Sequence, residues 1–303
     1  MEIPRSNQRS SPLGLILFTW LVVLLVSDLP EAIWQALAGV PPAWLLWVKF
    51  GLLAVIIVSS LSWKLIRPVR SYFTLLLVLL LAYYGMNLLR SSAPYLQWEQ
   101  QIGWVWGMVA FQALKLAVAF IMIAALLLMG RRPKDFFLTP GQLNIPVRAA
   151  STGDDRKKPS ITWGGLGLIL GICILPLTLL FFAIGNLPAA EVLVKALPFF
   201  PAAVLFAITN AFSEEMQFRA ALLGDLQAAF GDDHAIWMTA AFFGLFHYFS
   251  GPPSGIPGVL VTGLLGALFA KCMLGSKGIA VPWFIHFCQN AVIYAFSAIS
   301  SVA

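Results

Sequence analysis

Long apolar runs fill most of the chain, and short polar stretches separate them. Nine runs approach the ~20 residues with which a helix crosses a bilayer. They fall at about 13–34, 43–63, 71–89, 104–129, 163–184, 198–224, 235–250, 256–274 and 282–301. The pattern predicts an all-α, polytopic membrane bundle of about eight to nine transmembrane helices. The first run is weak because Asp28 and Pro30 interrupt it, and the seventh is short for a span. The largest hydrophilic stretch, 131–162, closes with Ser-Thr-Gly-Asp-Asp-Arg-Lys-Lys-Pro-Ser, the composition of a flexible charged linker. It separates an N-terminal four-helix region, 1–130, from a C-terminal core, 163–303. No internal repeat is visible, which disfavours an inverted-repeat transporter.

Composition agrees with that pattern. Hydrophobic residues make up 60% of the 303, charged residues 11%, and mean hydropathy is +0.86. Soluble domains carry about 25% charged residues. The net charge of +6 reflects scattered loop positions, so it points to topology and not to nucleic acid. With a cytoplasmic N-terminus, fourteen basic residues fall in inside loops and only Arg90 and Lys195 in outside ones, a strong positive-inside bias. Arg5 and Arg9 precede an apolar run resembling a leader, but Ser27-Asp-Leu-Pro-Glu-Ala lacks a small-x-small cleavage site. That run is read as the first membrane helix. Cys173, Cys272 and Cys288 all lie in apolar segments, as small packing residues would.

Against this background a few polar residues stand out, because ionisable groups in hydrocarbon are costly and mark functional sites by default. Glu214 and Glu215 sit together in the sixth run, with Arg219 following. Residues four apart share a helix face, which pairs Glu215 with Arg219 and leaves Glu214 without an obvious partner in its own helix. One reading makes both acids structural, neutralising Arg219 and a cation such as Lys115. The other makes Glu215 and Arg219 a scaffold and Glu214 the working carboxylate, a general base toward water. His247 lies four residues after Phe243, on the same face. His286 and Asn290 are likewise four apart, and an imidazole edge beside an amide suits a developing oxyanion. Polar glue between helices is the plainer alternative for that pair. At 1.5 Å per residue, Glu214 and His247 lie about 15 and 18 Å from the cytoplasmic ends of their helices, and His286 about 6 Å. A cavity open to the cytoplasm follows.

Other residues read as bland. His234 belongs to an interhelical loop, with Asp232 and Asp233 capping the next helix. Lys115 snorkels or pairs and receives no chemistry. Gly167 with Gly171, Gly263 with Ala267, and Gly266 with Ala270 serve close helix packing. The loop from Gly251 to Pro257, rich in proline and glycine, sits beside His247 where a substrate entrance would be.

Glu214-Glu215-x-x-x-Arg219, then Phe243-x-x-x-His247, then His286-x-x-x-Asn290, in that order on successive membrane helices, resembles the CAAX-protease and bacteriocin-processing family of intramembrane proteases. The resemblance covers roughly 163–301 and departs at Ala220, where the family commonly has glycine. It implies that Glu214 and His247 activate water, that His286 and Asn290 form the oxyanion hole, and that Glu215 and Arg219 are a structural pair. It further implies an endopeptidase of the cell membrane, bacterial, acting on a membrane-associated protein or peptide among membrane lipid. A non-catalytic scaffold or immunity-type protein of the same family is the alternative. No cofactor is favoured. Zinc is the alternative, with Glu214, His247 and His286 as ligands, although the sequence lacks the His-Glu-x-x-His helix that preorganises such a site.

Overall fold

A computed structural model describes residues 12–147, 161–184, 187–251 and 253–303. Arg5, Arg9, most of the charged half of the linker (148–160) and Pro252 of the entrance loop lie outside them. The described residues form thirteen α-helices and no strand, only an isolated antiparallel bridge between Pro146 and Thr162. In chain order these are α1 (Leu13–Val26), α2 (Leu29–Ala38), α3 (Trp44–Ser62), α4 (Arg70–Arg90), α5 (Ala93–Gln101), α6 (Trp104–Leu128), α7 (Trp163–Ala183), α8 (Ala190–Ala196), α9 (Phe200–Glu214), α10 (Leu223–Phe230), α11 (Asp232–Phe246), α12 (Gly255–Ser276) and α13 (Ala280–Ser300).

Six helical stretches are long and apolar enough to cross a membrane, or seven if the bent pair α1–α2 is one span. This is an integral multi-pass membrane protein, with fewer qualifying spans than the nine apolar runs suggest. Two runs account for the difference. The seventh forms α11, only 15 residues long. The ninth forms α13, 21 residues long, but His286, Gln289 and Asn290 lower its hydropathy below that of the others. The polar residues that make α13 chemically interesting thus also remove it from the set of plain spans.

Packing divides the chain into two compact units, Met1–Leu80 with Leu222–Ala270, and Leu81–Ala221 with Lys271–Ala303. In the first, the α1–α2 axis bends by 55° where Asp28 and Pro30 interrupt the apolar run. Lys49 from α3 covers that break. It donates to the Ser27 carbonyl at 2.6 Å and pairs with Glu31 at 2.6 Å and Asp28 at 3.9 Å. In the same unit the Ser71 hydroxyl donates to Asp225 on α10. A methyl built on Gly244 of α11 would lie 2.7 Å from the Val259 carbonyl oxygen and 3.0 Å from Gly263 of α12, so these two helices touch backbone to backbone. His234 differs from its loop assignment. It is helical, in the first turn of α11 after Asp232 and Asp233, because Gly231 is the N-cap and α11 begins directly at Asp232.

The second unit is organised around α13, which packs against α9 and α7. Close approach to α7 depends on small residues, since a methyl on Gly171 would meet Phe284 at 2.6 Å and the Cys288 sulfur at 3.1 Å. All three cysteines are free, Cys173 exposed and the other two buried. The indole of Trp283 donates to the Ile208 carbonyl at 3.1 Å, pinning the start of α13 to α9. The start of the linker is anchored as well. Gln142 N–H donates to the Ser276 carbonyl at 2.6 Å and Ile279 N–H to the Thr139 carbonyl at 2.9 Å, clasping the α12–α13 corner.

Candidate active site

Immediately after Glu214 the helix changes pitch. Residues Glu215–Ala220 form a π-helical turn, closed by Ala221 N–H donating to the Met216 carbonyl five residues back at 3.0 Å. Such turns are rare and concentrate at functional sites. Every residue of this one is buried, and Glu215, Gln217 and Arg219 have no exposed surface.

Two ion pairs balance the adjacent acids. Arg219 Nη1 donates to Glu215 Oε1 at 3.0 Å. Lys115, from the middle of α6, donates from Nζ to Glu214 Oε1 at 2.5 Å and to the Asn210 side-chain oxygen. Asn210 Nδ2 donates to the same Glu214 oxygen at 3.1 Å. Glu214 therefore does have a partner in its own helix, one turn back at Asn210, contrary to the sequence expectation. Uncompensated charge in a low-dielectric interior is costly, and two carboxylates matched by two cations avoid that cost.

His286 lies between the two acids. Its Nδ1–H donates to Glu215 Oε1 at 2.8 Å, and Nε2 lies 3.5 Å from Glu214 Oε2. One turn further along α13, Asn290 is 4% exposed, and its Nδ2 has no hydrogen-bond partner among the described residues. A buried amide N–H without an acceptor is uncommon in folded proteins and calls for an explanation. Further polar links brace the surroundings. Tyr83 O–H donates to Gln217 Oε1 at 2.5 Å, Gln217 Nε2 to the Lys115 carbonyl at 2.7 Å, and Gln112 Nε2 to the Tyr294 hydroxyl at 2.6 Å.

Glu214, Glu215, Arg219 and His286 thus converge in the second unit, with Asn290 on the same helix as His286. His247 and Phe243 belong to the first unit. There His247 ends α11, with Nδ1–H donating to the Phe243 carbonyl at 2.9 Å and its ring 4.4 Å from the Phe243 ring centroid. Among the described residues no three His, Cys, Asp or Glu side chains are grouped as metal ligands.

Sequence reasoning passed over Asn210 as a member of the cluster, and it offered Lys115 only as a cation the two acids could neutralise, without assigning it to Glu214. Asn210 was open to detection, being four residues before Glu214 on one helix face. Lys115 carried only the signal of a cation deep in an apolar run.

Residues 195–292 match the family model described as type II CAAX prenyl endopeptidase Rce1-like. The match is to the family that the motifs resemble, and it runs from the end of α8 through most of α13. It includes the three motifs, while Lys115 lies outside it. No curated protein and no solved structure matches the chain.

Proposed function

We propose that the protein is a glutamate-dependent intramembrane endopeptidase that hydrolyses a peptide bond of a membrane-associated protein or peptide. The observation that carries the reading is the buried contact of Glu214 Oε2 with His286 Nε2 at 3.5 Å, on a helix where Asn290 Nδ2 has no hydrogen-bond partner among the described residues. In this reading Glu214 takes a proton from water as the oxygen attacks the substrate carbonyl. The tetrahedral oxyanion accepts from Asn290 Nδ2–H and His286 Nε2–H. Collapse breaks the C–N bond, and the proton held by Glu214 passes to the departing amine.

Hydrogen bonding constrains the two imidazoles. With Nδ1–H of His286 donated to Glu215, Nε2 can donate to an oxyanion only when it too carries a proton. His247 enters through the Phe-x-x-x-His motif. Its Nδ1–H bond to Phe243 leaves Nε2 of the neutral ring as an acceptor, the state a base needs. The resemblance suggests a bacterial cell membrane and a prenylated or processed peptide substrate, and the basic loops suggest a site open to the cytoplasm.

A second reading, a non-catalytic scaffold, draws on the charge balance itself: Lys115–Glu214 and Arg219–Glu215 are the neutralising pairs a purely structural cluster would have. Comparison of membrane peptidomes from cells carrying wild type and Glu214→Gln separates the two. An endopeptidase leaves an uncut peptide in the variant, whereas identical peptidomes with full complementation of a deletion would establish the scaffold.

A further inference from the structure

We infer that Lys115 is a positioning residue for Glu214, its ammonium holding one carboxylate oxygen so that the other faces His286. The inference rests on the reading of Glu214 as the water-activating base, and it brings α6, outside the matched segment, into the site.

The geometry is more elaborate than charge neutralisation requires. Lys115 is 8% exposed and has three N–H donors. It donates to Glu214 Oε1 at 2.5 Å and to Asn210 Oδ1, and its ammonium lies 5.6 Å from the Phe111 ring centroid. Asn210 in turn donates to Glu214 Oε1 at 3.1 Å, which closes a triangle of Lys115, Asn210 and Glu214. Two donors on Oε1 fix the plane of the carboxylate and direct Oε2 to within 3.5 Å of His286 Nε2. The lysine is itself held, since its backbone carbonyl accepts from Gln217 Nε2 in the π-helical turn at 2.7 Å. Gln217 in turn accepts from Tyr83 of α4 at 2.5 Å. The site and its counter-ion thus share one frame.

The chemical consequence concerns the ground state of the base. A carboxylate must be ionised to accept a proton from water, and a buried one is driven toward its neutral form unless a cation is adjacent. Arg219 is engaged with Glu215, so Lys115 is the cation bound directly to Glu214. The other ionisable side chains around this frame are Tyr83 on α4, Glu215 and Arg219 on the π-helical turn, and His286 and Tyr294 on α13.

The test uses full-length protein in proteoliposomes, with a quenched fluorogenic peptide ending in a prenylated Cys-a-a-X sequence. The variants are Glu214→Gln, Lys115→Met and Lys115→Arg. Difference infrared spectra against Glu214→Gln report whether Glu214 is a carboxylate at pH 7 without depending on turnover. Lys115→Met should show a protonated Glu214 carboxyl band absent from wild type. Its kcat should fall about 10²-fold or more, the range of general-base contributions, with KM nearly unchanged. Where Lys115→Met does not accumulate as folded protein, Lys115→Arg carries the test. It keeps the charge but not the placement, so Glu214 should remain a carboxylate while kcat falls at constant KM. An ionised Glu214 with undiminished kcat in Lys115→Met, or undiminished kcat in Lys115→Arg, overturns the proposal. Equal cleavage by wild type and Glu214→Gln overturns instead the reading of Glu214 as the base.

Discussion

The Nδ1–H of His286 donates to Glu215 Oε1 at 2.8 Å, and this bond determines what the other imidazole nitrogen can do at Glu214. Two consecutive residues on one turn therefore act on opposite edges of a single ring. Glu215 fixes the ring's orientation and tautomer, as a carboxylate behind an imidazole does in hydrolytic sites built on other folds. Glu214 lies on the far edge at 3.5 Å. The π-helical turn that begins at Glu215 is where the chain makes this arrangement possible.

Glu215 and Arg219 should matter more for folding than for any single chemical step. Both side chains are fully buried and paired, so Glu215→Ala or Arg219→Ala leaves an uncompensated charge, at a cost of about 3–5 kcal/mol. Glu214→Gln keeps hydrogen-bonding atoms beside Lys115 and Asn210 and should cost less. Thermal unfolding in detergent checks the order. Equal midpoints for the three variants would remove Glu215 and Arg219 from the scaffold role.

The pairing of Glu214 with Lys115 also decides which variant reports on chemistry. Glu214→Ala strands a buried ammonium, so loss of cleavage there mixes folding with catalysis. Glu214→Gln and His247→Ala should abolish cleavage while eluting as monodisperse protein. Retained full activity in either would withdraw that residue from the water-activating pair.

Much of this was legible in the sequence, and what was not has a common cause. Amphipathic spacing suffices for Glu215 with Arg219, because an i, i+4 pair is a property of one helix. The break at Asp28 and Pro30 is local too, and a 55° bend is found there. Lys115 with Glu214 is a contact between α6 and α9, so the sequence could name Lys115 as a cation for the acid pair, but periodicity along one helix could not say which acid it meets. The π-helical turn escapes for another reason: one extra residue per turn leaves no compositional trace in so short a segment. α13 falls outside the plainly apolar spans because His286, Gln289 and Asn290 lower its hydropathy, two of them being candidate site residues.

Asn290 offers a graded test of the oxyanion hole. Its Nδ2 is buried without an acceptor among the described residues, which is what a donor reserved for a transient charge would show. Asn290→Ala should reduce kcat by about 10²–10³-fold with little change in KM, since removing one oxyanion donor costs that much. It should not destabilise the fold, because no hydrogen bond to Nδ2 is lost. A fall in stability with unchanged kcat would show that Asn290 is helix glue instead.

Metal dependence is the last question the donor geometry addresses. Glu214 Oε2 and His286 Nε2 offer two donors 3.5 Å apart, but a catalytic zinc takes three protein ligands and a water. A dication at Glu214 would also face the Lys115 ammonium, 2.5 Å from the other oxygen of the same carboxylate. Like charges that close in a low-dielectric interior repel strongly. The donor His286 presents at Nδ1 is occupied by Glu215, which leaves a single nitrogen for any second role. Active protein washed with chelator should therefore retain cleavage and contain zinc well below one equivalent by elemental analysis. Stoichiometric zinc, whose removal abolishes cleavage and whose return restores it, would replace the glutamate-dependent mechanism with a metal-dependent one.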